Sequence, residues 1–177
     1  MKILKNILIG IAIIIVVVLL AALFITKDFA VERTVVINKP KQVVYDHVKY
    51  LKNQNAFNAW AKQDPHIKFT YSGTDATAGF VSAWEGNKDV GKGEQEIKSL
   101  TPGERIDYEL RFIEPMPSVS PSYIAFEGLD ATQTKVRWGM SGSCTYPINI
   151  MVPFMDGILG SKLEEGLADL KTILEKN

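Results

Sequence analysis

The hydrophobic pattern of this chain changes period four times, and each change predicts a new element. From Ile7 to Thr26 it does not alternate at all: the run is almost wholly Ile, Leu, Val and Ala, with no ionisable side chain. A helix of about 20 such residues, rising 1.5 Å per residue, is about 30 Å long and matches the hydrocarbon core of a bilayer. A secretory signal has a shorter apolar region, about 7 to 15 residues, and a small-x-small site after it. Here Ala21 and Ala22 are adjacent, Gly10-Ile11-Ala12 comes too early, and no Cys follows to accept a lipid. The expectation is a retained single-pass anchor over residues 1–28, ahead of one domain over 29–177. Lys2 and Lys5 precede the span, while Lys27 and Arg33 follow it beside Asp28 and Glu32. The small cationic bias, with a short charged N-terminus leading into the run, predicts an extracytoplasmic domain.

Past Lys27 the period drops to two. Val31, Arg33, Val35 and Ile37 alternate with Glu32, Thr34 and Val36, and β-branched residues dominate, so a strand is expected. Asn38-Lys39-Pro40 then predicts a helix start, with Asn38 or Lys39 as cap and the proline in the first turn. Val43, Val44, His47, Val48 and Leu51 recur at helical spacing until Lys52 to Asn58 breaks the pattern with Asn and Gln. Six more strands are read over His66 to Ser72, Gly79 to Gly86, Gly91 to Leu100, Arg105 to Ile113, Ser120 to Leu129 and Gln133 to Tyr146. Asn87-Lys88-Asp89, Thr101-Pro102-Gly103 and Asp130-Ala131-Thr132 are too short for parallel crossovers, so an antiparallel meander follows. The period then returns to that of a helix: Leu159, Leu163, Leu167, Leu170 and Leu174 form one apolar stripe, with Lys162, Glu164, Glu165 and Lys171 between them.

Alternation also sorts the faces. Ile106, Tyr108, Leu110 and Phe112 oppose Asp107, Glu109 and Arg111, while Thr134, Val136, Trp138 and Met140 oppose Lys135, Arg137 and Ser141. Seven strands with one apolar face, and one long amphipathic helix to cover it, make an α+β helix-grip fold: a curved antiparallel seven-stranded sheet wrapped around the C-terminal helix. A single helix leaves part of such a concavity uncovered. The candidate lining of the resulting cavity is Trp84, Tyr108, Leu110, Phe112, Phe126, Trp138 and Met140. The alternative is that these aromatics simply fill a core. Pro147 to Gly157, with Met151, Phe154 and Met155, is a candidate rim, and Met155 joins the ligand-cavity set because a flexible methionine suits an adaptable gate; the alternative is that these side chains pack under the helix. The stiff Phe112–Pro121 loop, with prolines at 115, 117 and 121 and Met116 among them, is a second.

Charge and cysteine usage remove several function classes. Lys plus Arg equals Asp plus Glu at 20 each, which leaves no electrostatic footprint for nucleic acid. Cys144 is the one cysteine, so there is no intramolecular disulfide, Cys-rich metal site or redox pair. No cofactor motif is present. Gly91-Lys92-Gly93 lies in a hairpin without the helix N-terminus that cradles phosphate and is read as a turn or bulge.

The order of these elements resembles the SRPBCC (START/Bet v 1-like) superfamily, in particular its polyketide cyclase/dehydrase and lipid-transport branch. The likeness rests on the opening Val-Glu-Arg-Thr-Val-Val-Ile-Asn-Lys-Pro-Lys-Gln-Val-Val-Tyr-Asp from Val31. It rests equally on the closing helix Gly-Ser-Lys-Leu-Glu-Glu-Gly-Leu-Ala-Asp-Leu-Lys from Gly160, and it covers Ala30 to the C-terminus. It implies a cavity under the C-terminal helix; the superfamily places carriers, receptors and cyclases on one scaffold, and none of its catalytic motifs maps onto positions here.

Catalytic chemistry needs groups that converge. His47 is read as a helix-face residue beside Asp46 and His66 as a strand opener, and neither belongs to a metal-binding spacing. Cys144 has no basic neighbour to activate it. Glu85 and Glu127 interrupt apolar runs, but alternation turns them away from Trp84 and Phe126, toward solvent. The leading expectation is a membrane-tethered domain, held through Ile7 to Thr26, that binds an apolar or lipid-like small molecule. An enzyme of the cyclase or aromatase type requires Tyr108, Glu85 or His47 in the cavity wall. A cell-envelope interaction domain with a filled core is the third reading.

Overall fold

A computed structural model describes residues 2–176. Helix α1 (Lys2–Ala22) contains an apolar stretch, Ile3–Ala22, long and apolar enough to cross a membrane. It stops four residues before the expected limit at Thr26. The amides of Leu23 and Phe24 reach back to the carbonyls of Leu20 and Ala21, a tightening last turn. The Asn149 side chain then donates to the carbonyls of Ala22 and Ile25, at 2.6 and 2.9 Å, and so terminates the helix from outside it.

Strand β1 (Asp28–Ile37) leads to a short helix α2 (Lys41–Val48). Pro40 is the cap residue, with extended backbone at φ −57 and ψ 145, so the helix begins one turn position later than expected. The buried face of α2 is Val44, Tyr45 and Val48, and Val43 is exposed. The predicted stripe ran on to Leu51, but the chain breaks at an extended Tyr50 before α3 (Leu51–Gln54). The Asp75 carboxylate accepts from the Leu51 and Lys52 amides and satisfies that new helix start.

Six antiparallel strands follow: β2 (Lys68–Ser72), β3 (Val81–Glu85), β4 (Lys92–Thr101), β5 (Arg105–Glu114), β6 (Ser118–Gly128) and β7 (Thr134–Ser143). They form one open sheet in the order β1-β7-β6-β5-β4-β3-β2. The connection from β1 to β2 therefore runs from one edge of the sheet to the other, and α2, α3 and a short 3-10 turn at Ala61–Gln63 lie along it. Register shifts between Lys92 and Gly93 and between Ile97 and Ser99 bend β4, the device that curls a sheet over its cover.

Helix α4 (Val152–Glu175) lies across the concave face against β1 and β7. Its stripe of Leu163, Leu167, Leu170 and Leu174 is buried with Val31, Ile37, Ile106, Ile124 and Val136, and this is the helix-grip core that alternation anticipates. Gly166 permits the close approach: a Cβ there would sit 2.7 Å from the Trp138 ring and 2.8 Å from the Phe57 carbonyl. At its start α4 is fastened to β1 by Arg33, whose guanidinium donates to Asp156 at 2.8 Å and to Glu164 at 2.6 Å. Asp156 is held below the usual carboxylate range by that bond.

Candidate ligand cavity

Helix α4 covers the β1 side of the concavity. Over β2 to β5 the cover is α3 and the loop after it, and between loop and sheet lies a cavity of about 150 Å³. The sheet supplies Phe69, Ser82, Trp84, Gln95, Leu110, Phe112 and Met140. The cover supplies Leu51, Gln54, Asn55, Asn58, Trp60 and Ala61, with Leu159 from α4 and Ile67 and Val90 at the edge. Among the described residues no Asp, Glu, Lys, Arg or His lines it. A dry apolar space of about 150 Å³ accommodates one benzene-sized ring, whereas drug-sized ligands usually occupy about 300 to 1,000 Å³. The cavity thus fits a small apolar molecule, or one apolar part of a larger one that projects through the mouth.

Trp84 organises the sheet side. Its ring meets Phe112 edge to face, at 5.9 Å between centroids and 77° between planes. It also lies over its cross-strand partner Gly93, where a Cβ would come within 2.5 Å of the ring. The inner end is polar. Gln95 Nε2 donates to Gln54 Oε1 at 3.1 Å, while Gln54 Nε2 and the Tyr108 hydroxyl are buried without a hydrogen-bond partner. Burial pushes the Tyr108 phenol far up, with the nearby Gln54 amide a lesser, opposing influence, so Tyr108 keeps its proton at any physiological pH. A buried donor without a partner costs about 1 to 3 kcal/mol; of these two groups Gln54 lines the cavity, so its amide is the one a bound acceptor would satisfy.

Of the residues singled out by alternation, Trp84, Leu110, Phe112 and Met140 line the cavity. Tyr108, Phe126 and Trp138 do not. Phe126 packs edge-on against Tyr45 of α2, and Trp138 edge-on against Phe57 under Gly166 of α4. All three face the concave side, but helices fill the space above β6 and β7, and no periodicity along a strand reports which helix covers it. Met155 is half-buried near the start of α4 and does not reach the wall, while Met151, Phe154 and Met116 are exposed. The residues that sequence reasoning missed are mainly those of the cover. Their one signal was the run of Asn and Gln from Lys52 to Asn58, set between Leu51 and Trp60.

His47 lies outside the wall. Its ring is half-buried at 6.5 Å from Phe57, its Nε2 is buried without a partner, and burial depresses its pKa. Glu85 and Glu127 are exposed, beside Lys92 and Lys135. His66 precedes β2 in an exposed turn, and Cys144 is half-buried just past β7, its amide bonded to the Lys27 carbonyl. Gly91 has φ +69 and lies in the turn just before β4, whose register shift falls between Lys92 and Gly93, as expected of a turn or bulge. Among the described residues no three His, Cys, Asp or Glu side chains are grouped to hold a metal.

No family model matches the sequence, and no curated protein matches it. Solved structures are similar in fold. Protein CV1439 from Chromobacterium violaceum superposes with a TM-score of 0.59 at 16% identity, over 82% of this chain and 96% of that one. The Zhui aromatase/cyclase from Streptomyces sp. R1128 gives 0.59 at 13% identity, over 84% and 94%. The protein Ara h 8.0201 gives 0.59 at 10% identity, over 85% and 99%. The domain shares the helix-grip fold of these structures.

Proposed function

We propose that this chain is a membrane-tethered binding protein that takes a small apolar molecule, or the apolar part of a lipid-like one, into the cavity beneath α3 and α4. The observation that carries the reading is the cavity wall itself: aliphatic and aromatic on nearly all sides, with amides at one end and no ionisable group. General acid–base chemistry requires a titratable side chain within hydrogen-bond reach of the reacting atoms. Tyr108, Glu85 and His47, on which a cyclase-type reading depends, are all absent from that wall. The aromatase/cyclase among the structural neighbours shares the scaffold, and a scaffold hosts many chemistries. Helix α1 holds the domain at a bilayer, with the domain on the extracytoplasmic side.

The test is native mass spectrometry with solvent extraction on residues 29–177, a segment that contains all seven strands and the buried cluster from Val31 to Leu174. A stoichiometric apolar adduct, or uptake of one on titration, supports the reading. A protein that carries nothing and takes up no fatty alcohol, ketone, isoprenoid or phospholipid overturns it. Chemistry at the polar end sharpens the expectation: at equal chain length an uncharged acceptor outcompetes a carboxylate. The Gln54 amide can donate to either, but nothing cationic compensates a buried charge.

A further inference from the structure

The antiparallel register brings one end of strands β1, β5, β6 and β7 together: Asp28 pairs with Ser143, and Phe112 pairs with Ser118. Helix α1 joins the domain at this end, and so do the β5–β6 hairpin and the segment from Tyr146 into α4. Most of the domain's large exposed apolar side chains are here. Met116 and Val119 are 60% and 57% exposed on the hairpin, and Phe154 and Ile158 are 60% and 48% exposed one turn apart on α4. Ile113, Tyr146, Ile148 and Met151 add to them. At the opposite end, the turns 38–41, 101–105 and 128–134 expose one large apolar side chain, Leu129, among Lys39, Lys41, Glu104, Arg105 and Asp130.

Lys27, Asp28 and Glu114 border this end, but the segment that leads into α4 is nearly without charge. Between Thr145 and Ser161 the one charged side chain is Asp156, and Arg33 neutralises it. The domain does not swing freely from its anchor, because the buried Asn149 amide clasps the carbonyls of Ala22 and Ile25 and ties α1 to the turn Ile148–Met151. Phe24, 89% exposed, leaves α1 at the same place. An apolar surface continuous with a bilayer-spanning helix, with charged side chains such as Lys27, Asp28 and Glu114 at its border, matches the interfacial layer of that same bilayer, where apolar groups and charges lie side by side. A protein partner would need directional groups to set its register, and a lipid surface needs none.

The cavity belongs to the same half of the sheet. Trp84, Gly93 and Phe112 lie across neighbouring strands toward this end, and the cavity residues Phe112 and Leu159 adjoin the exposed Ile113 and Ile158. We infer that the anchor-side end of the domain is seated in the bilayer interface, so that the cavity exchanges its ligand with the lipid phase rather than through water. This rests on α1 being a membrane anchor, and it adds an orientation and a route that tethering alone does not provide.

The test uses the full chain in phosphatidylcholine nanodiscs, with Cys144→Ser as background and a single environment-sensitive fluorophore at a cysteine replacing Phe154, Leu129 or Val16. Nitroxide-bearing lipid is expected to reduce emission at 154 and 16 by about half or more, and to leave 129 unchanged, since interfacial burial is about 5 to 10 Å deep. Quenching at 16 with none at 154 overturns the seating and leaves the anchor reading intact. No quenching at 16 overturns the anchor reading and the seating with it. Emission at 154 that ignores the nitroxide yet varies with the number of chains per disc assigns the face to a second copy, which also overturns the seating.

Discussion

The two halves of the concave face are built from the same strand pattern and end differently. Above β1, β7 and β6 the cover is the long helix α4 together with α2, the leucines of α4 interlock with Ile37, Ile124 and Val136, and the space is filled except where Met140 and Leu159 border the cavity. Above β2 to β5 the cover is a four-residue helix and a loop carrying Gln54, Asn55 and Asn58, and a cavity remains. A helix with a regular apolar stripe can fill the space over a sheet, because its side chains repeat along the strands beneath it. A loop cannot do this, since it must also satisfy its own backbone polar groups. The hollow is therefore a property of the cover, and the strands under it differ little from those that are fully packed.

The largest test of this contrast is truncation. Leu167→Ala in the packed half is expected to cost about 3 kcal/mol of unfolding free energy, the transfer loss plus an unrelaxed cavity. Leu110→Ala in the hollow half is expected to cost less than half as much, because that side chain already faces open space and forfeits fewer contacts. Urea denaturation of residues 29–177 measures both, and equal losses would erase the distinction.

Enlargement reverses the comparison and is next in size. Gly166→Ala pushes a methyl into Trp138 and the Phe57 carbonyl, and about 1 to 3 kcal/mol of overpacking cost is expected. Leu110→Trp adds far more volume, yet the cavity takes it up. Stability should stay within about 1 kcal/mol of the parent. Uptake of an apolar fluorescent probe should fall about tenfold or more, a loss of at least about 1.4 kcal/mol of binding. Retained uptake would place the ligand elsewhere.

Smaller effects come from polar groups that lack partners. Tyr108→Phe removes a buried hydroxyl without a hydrogen bond, so stability at neutral pH should be unchanged or slightly higher. Because the folded phenol titrates above its unfolded value of 10, the unfolded chain loses its proton first as pH rises. The parent should then weaken above about pH 10 and the variant much less. His47 shows the mirrored sign. Its folded pKa lies below the ordinary 6.5, so the unfolded state binds the proton first, and stability falls as pH drops through 6.5 toward the folded value. Denaturation midpoints of His47→Phe should be flatter than the parent across that window.

Much of the fold is legible in the sequence because each strand and the long helix carry a local period. Ile106, Tyr108, Leu110 and Phe112 share a face, and the leucines of α4 share a stripe. Element limits were less legible where a distant residue decides them. The last turn of α1 is closed by Asn149, more than a hundred positions away, and α3 begins where Asp75 caps it. The candidate site was half legible for the same reason. Trp84, Leu110, Phe112 and Met140 were reached through alternation, whereas Gln54, Asn58 and Trp60 lie in a segment whose pattern breaks, and nothing local says what it will cover.

What the sequence determines alone is everything set by neighbours along the chain: an apolar helix long enough for a bilayer, seven strands joined too tightly for parallel crossovers, and an amphipathic helix to close them. What only the tertiary structure decides is which part of a uniformly apolar face stays open, which buried donors lack partners, and which end of the sheet collects the exposed apolar side chains. Those outcomes depend on the register between strands and on the cover from distant segments. Burial is a sum over neighbours in space, and a period along the chain carries information only about neighbours in sequence.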